Sequence, residues 1–150
     1  MEAMGKQTGA QYERDFVEWS AATAKALEER RFGDVDLAQV AEEIRSMGIE
    51  QEHRLESYFR RLILHLLKWQ FQPVRRSPSW RRSIVNSRIQ IGRVLERSPS
   101  LQHKRDELAA MAYADAVKLA SVETGLSPML FPRECPYGME SLMDDDFLPE

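Results

Sequence analysis

No proline precedes Pro73, and nothing between Asp36 and Gln70 obliges a helix to stop. Asp36 followed by Gln39 reads as a capping box. After it, Leu37, Val40, Ala41, Ile44 and Met47 recur at helical spacing. Gly48 is the one place where this helix would kink. Unbroken, it runs for about 34 residues, or ~50 Å. Its second half is apolar nearly all round: Leu55, Tyr58, Phe59, Leu62, Ile63, Leu64, Leu66, Leu67 and Trp69, interrupted by Arg60, Arg61, His65 and Lys68. A helix of that kind needs neighbours on most sides. The expected fold is therefore all-α, a bundle of about four main helices and a short C-terminal one, with the long second helix as its spine.

The remaining helices follow from periodicity and punctuation. Tyr12, Phe16, Trp19, Thr23 and Leu27 form one stripe of a first helix, with Gly33 as its expected stop. Pro73 and Pro78 bracket a basic loop, and Ser79 is the expected N-cap of a third helix. Trp80, Ile84, Ser87, Ile91, Val94 and Leu95 share its main face. Val85, Ile89 and Gly92 form a second apolar strip, where glycine would admit another backbone. A fourth helix starts near Pro99 and stops at Gly125, with Leu101, Leu108, Ala112, Leu119 and Val122 towards the core. A short helix is expected around Met139 to Met143. Residues 1–10 read as a flexible end, and 11–150 as a single helical domain whose acidic C-terminal segment wraps the bundle.

Charge is laid out in three blocks. Arg60 to Arg97 holds ten Lys/Arg and one acid, within a chain whose net charge is −3. The acids gather on either side, ending in Asp144-Asp145-Asp146. Either the basic middle faces an anionic partner, or the acidic ends fold over it. A lone cysteine, Cys135, excludes an internal disulfide and an all-cysteine metal site, and suits a reducing cytoplasm. Residues 1–15 are polar and lack the apolar core of a signal peptide. The most apolar stretch, Leu62 to Leu67, is too short to span a bilayer, so no membrane association is expected.

Several short motifs occur together. They include Tyr12-Glu13-Arg14-Asp15-Phe16, Ala41-Glu42-Glu43-Ile44, His65-Leu66-Leu67-Lys68-Trp69-Gln70-Phe71-Gln72-Pro73 and Ser77-Pro78-Ser79-Trp80-Arg81. Tyr113-Ala114-Asp115-Ala116, Glu123-Thr124-Gly125-Leu126 and Glu134-Cys135-Pro136-Tyr137 follow. In this order, over about residues 11–150, the chain resembles a bacterial family catalogued as domain of unknown function 29. The resemblance implies an all-helical protein of prokaryotic origin and supplies no activity, cofactor or catalytic residue.

The candidate site residues come from the pattern alone. Arg75, Arg76, Arg81 and Arg82 are candidates for phosphate contact, with Trp69, Phe71 and Trp80 as stacking rings. The bland alternative puts the rings in the core and pairs the arginines with the acidic ends. On the third helix the arginines do not form one clean stripe, which weighs against a groove-reading helix. Asp115 falls in the apolar stripe of the fourth helix, as a buried ion pair or, less readily, an acid/base with a shifted pKa. His65 sits beside the apolar edge of the long helix and reads as a hydrogen-bonded core residue. Glu50-x-x-His53 has the spacing of half a di-iron site, but no second copy exists. No metal or other cofactor is expected. No phosphate-binding glycine loop, nucleophile elbow or dinucleotide fingerprint is present.

Three functions remain. The first is a non-enzymatic interaction module, a homodimer or a binder of a protein partner. Its grounds are the all-round apolarity of Leu55 to Trp69 and the Val85–Ile89–Gly92 strip. The second is nucleic-acid binding through residues 60–97, in a regulatory or toxin–antitoxin setting. The third is an enzyme using Asp115 and His65 with Asp15.

Overall fold

A computed structural model describes residues 11–150. The expected flexible segment, 1–10, lies outside the described residues. Among these residues every regular element is helical: α1 (Phe16–Glu28), α2 (Leu37–Phe71), α3 (Pro78–Arg97), α4 (Arg105–Thr124) and the short α5 (Met139–Met143). Single 3-10 turns, Phe32–Asp34, Pro73–Arg75, Pro99–His103 and Pro128–Leu130, join them. The chain divides into two compact units, one ending at Ile49 and the other Glu50–Glu150. Helix α2 contributes its first turns to one and the rest to the other.

The first unit pairs α1 with the start of α2. Asp15, in extended conformation, caps α1 by accepting from Glu18 N at 2.9 Å. The helix ends earlier than Gly33. Arg30 takes the left-handed conformation (φ 57), and Arg31 N reaches back to Ala26 O at 2.8 Å, the 6→1 bond of a Schellman motif. Arg31 is held by Glu29 and Asp34, both at 2.7 Å, which favours this stop without a glycine. Asp36 caps α2, accepting from Gln39 N at 3.1 Å. Tyr12 donates to the Glu43 carboxylate and packs edge-on against Trp19, with ring centroids 4.9 Å apart. Only Trp19 and Ala26 are buried among the described residues of this unit.

The second unit holds the main core. Leu55, Phe59, Leu62, Ile63, Leu66 and Leu67 of α2 are sealed against Ile84, Ile91, Val94 and Leu95 of α3 and Leu108, Ala109, Ala112, Tyr113, Ala116 and Ala120 of α4. The apolar run of α2 is therefore covered within one chain, and no second copy is needed to bury it. Helix α2 passes Gly48 as one unbroken helix. Helix α3 starts earlier than Ser79. Ser77 is the N-cap, accepting from Trp80 N at 3.2 Å, because Pro78 fits the first helical position, where its missing N–H costs nothing. Among the described residues nothing approaches within 4 Å of a Cβ placed at Gly92, so none of their backbone uses the gap expected there.

Helix α4 corrects the sequence reading most. Leu119 is 42% exposed and Val122 is 82% exposed. The expected Leu108 and Ala112 are buried, and the buried face continues through Ala109, Tyr113, Ala116 and Ala120, mostly small residues that admit close helix packing but make a faint hydrophobic stripe. Gly125 ends the helix in the left-handed conformation.

The last segment lies on this core. Leu142 is buried, Phe147 and Leu148 pack beside it, and the Tyr137 and Phe147 rings meet at 6.0 Å. Its anchor is Arg88, 4% exposed, whose Nε donates to Leu142 O (2.9 Å), Nη2 to Ser141 O (3.2 Å) and Nη1 to Asp145 O (3.5 Å).

Candidate functional site

The basic segment runs from the last turns of α2 through the Pro73–Arg75 turn into α3. Arg75, Arg76, Arg81 and Arg82 are all exposed. Among the described residues none of the four has a carboxylate within 4 Å. Among the described residues no acid of the C-terminal segment pairs with them. Asp144, Asp145 and Asp146 are exposed, and the cation that holds their segment is Arg88, which binds backbone carbonyls rather than the carboxylates. Burial pushes the Arg88 pKa down, and Asp145 and Asp144 partly oppose this.

The rings expected to stack on bases are occupied. The Arg76 guanidinium lies over Trp69 at 5.1 Å and donates to Trp69 O at 2.8 Å. Phe71 packs edgewise on Phe131 at 5.0 Å. The buried Lys68 sits over Trp80 at 4.6 Å while its Nζ reaches Glu123 Oε2 at 3.4 Å. These are contacts that position helices, made by the side chains whose composition suggested nucleic acid.

One cavity of the basic face is polar. Arg61 of α2 and Arg82, Ser83 and Asn86 of α3 line an open depression of about 310 Å³. Arg61 also has no carboxylate within 4 Å among the described residues. Its contribution was missed in the sequence because it directly precedes the most apolar stretch of the chain, fourteen positions before Arg75.

The three candidate acid/base residues do not make a constellation. Asp15 is an exposed helix cap. Asp115 is not buried: half its side chain is exposed (50%), and its partner is Lys118 at 3.8 Å, one turn along α4. Leu108 and Ala112 of the expected face are buried, but past Asp115 the buried positions are Ala116 and Ala120 and not Leu119 and Val122. His65 is half-buried, and its Nδ1–H donates to Arg61 O at 2.8 Å. Burial lowers its pKa below the usual 6.5, opposed by this bond and helped by nearby Lys68.

A larger apolar groove, about 910 Å³, runs between α4 and residues 128–135, past Tyr113, Val117, Met129, Phe131 and Cys135. Tyr113 donates to Pro132 O, which fixes one wall. Burial raises the Cys135 pKa, so its thiol is protonated and a poor nucleophile at neutral pH. Glu50 and His53 share a shallow dent with Arg54, Ser57 and Tyr58. No third acid, His or Cys joins them to make a metal-holding group among the described residues. Nor is any described helix long and apolar enough to cross a membrane.

Residues 11–148, nearly all of this architecture, match the family described as a domain of unknown function, DUF29. The chain belongs to this family. No curated protein and no solved structure matches it.

Proposed function

We propose that this DUF29 protein is a non-enzymatic interaction module that self-associates through its first unit. The observation that carries this is the exposure of that unit's apolar side chains. Phe16, Val17, Leu37, Ile44, Met47 and Ile49 all stand in solvent, with Ile44 and Met47 each 63% exposed. Two paired helices that bury only Trp19 and Ala26 have little to hold them. Units this small ordinarily need a metal, disulfides or a partner. The stripe Leu37–Val40–Ile44–Met47 alternates steps of three and four, the seam pattern by which a helix packs on a like helix. A second copy supplies that like helix, and patches of this kind mark interaction surfaces.

Light scattering across a micromolar concentration series tests the reading. A dimer has twice the 17.4 kDa of the chain. Ile44→Glu with Met47→Glu should return a folded monomer, since both side chains are exposed in the single chain. A wild-type monomer at every concentration would remove the proposal.

A further inference from the structure

We infer that Arg61, Arg82, Ser83 and Asn86 form a binding site for a phosphoryl group, carried by inorganic phosphate or a small phosphomonoester. The site belongs to the second unit and does not depend on self-association. Its residues come from two helices: Arg61 from α2, and Arg82, Ser83 and Asn86 from successive turns of α3. Two arginines, and no acid, therefore line one depression. Two like charges brought together without a counter-charge repel, and a bound dianion reverses the sign of that interaction. Guanidinium forks match the oxygens of a phosphoryl group, and the Ser83 hydroxyl and Asn86 amide add neutral donors. A carboxylate carries half the charge and presents two oxygens instead of three.

Size and surroundings favour a small ligand over a nucleic-acid strand. The depression, about 310 Å³, is roughly ten times a water molecule's share of liquid volume, enough for one phosphoryl group and its nearest waters. No aromatic ring lines it. The rings nearby in sequence are already covered by Arg76, Lys68 and Phe131. A strand binder needs rings free to stack and cations spaced along a backbone.

Calorimetric titration of the full chain at low salt with inorganic phosphate, then with glycerol phosphate, tests the site. The panel is wild type, Arg61→Gln, Arg82→Gln and the control Arg75→Gln, which removes an exposed arginine outside the depression. All three replaced side chains are exposed, and circular dichroism checks that the helices persist. Saturable binding near ~1 mM is expected. It should weaken roughly tenfold in R61Q and in R82Q and hold in R75Q. Equal affinity for both ligands identifies the phosphoryl group itself as the determinant, and tighter glycerol phosphate binding identifies the monoester as the ligand class. No saturable binding up to ~20 mM overturns the inference. So does equal weakening in R75Q, which would mean a diffuse basic field. A labelled twelve-base oligonucleotide forms the last arm. Binding far tighter than phosphate, with a steep salt slope and equal loss in R75Q and R82Q, would replace the discrete site with a strand-binding face.

Discussion

Replacing Arg88 with methionine tests what holds the C-terminal segment in place. Arg88 is buried and fixes Ser141, Leu142 and Asp145 through their carbonyl oxygens. Methionine keeps much of the stem and removes every donor. Ser141 O retains a bond from Asp144 N, so two carbonyls, those of Leu142 and Asp145, lose the donor they have here. A polar group left buried without a partner costs about 1–3 kcal/mol. Leu142 O is such a group, whereas the exposed Asp145 can turn its carbonyl to water, so the net loss is about 2 kcal/mol. In a chain of this length that corresponds to a fall in Tm of roughly 4–8 °C. The segment need not wait for global unfolding. Residues 139–150 should exchange their amide hydrogens faster than the α2 core and become a site of proteolytic nicking. Arg88→Lys should fall between, since one ammonium cannot fork to three carbonyls. The reasoning fails if Arg88→Met leaves Tm within about 1 °C of wild type and the exchange of 139–150 unchanged. Burying the charge would then cost as much as its bonds return, and Leu142, Phe147 and Leu148 would hold the segment by packing alone.

Two further outcomes follow from buried polar groups in the same unit. Ser87 is fully buried and its hydroxyl has no hydrogen-bond partner among the described residues, so Ser87→Ala should stabilise by about 1 kcal/mol; a lower Tm in a thermal melt would show that the hydroxyl is satisfied after all. His65 has a pKa depressed mainly by burial, with Lys68 and Arg61 also opposing its charge and Glu123 favouring it. The unfolded chain therefore binds the proton more readily. The stability this contributes is complete above the ordinary value of 6.5 and is lost as pH falls through it towards the folded value. Tm measured from pH 7.5 to pH 5 should drop less in His65→Asn than in wild type, and parallel curves would refute the assignment.

Much of the candidate site was legible as charge but not as geometry. The exposed Arg75, Arg76, Arg81 and Arg82 lie in the block that composition singles out. Arg88 belongs to the same block and does the opposite, going inside to bind a segment more than fifty residues away. Nothing local distinguishes it, because whether an arginine meets water or a carbonyl depends on which chain segment arrives. Arg61 illustrates the converse, a functional candidate hidden in an apolar run. Asp115 was misplaced because, past Leu108, α4 buries alanines and a tyrosine, while Leu119 and Val122 are exposed.

The sequence by itself determined the all-α class, the long uninterrupted α2, the cap at Asp36 and the stop at Gly125. Each is a matter of backbone chemistry within a few residues: the absence of proline, a carboxylate three positions before an N–H, a glycine where φ is positive. Tertiary structure alone decided which face of α4 is buried, that α2's apolar half is covered within the chain, and that Arg61 and Arg82 share one depression. Those outcomes depend on pairings between distant segments, where burial is shared among competing faces and small residues win by letting helices approach.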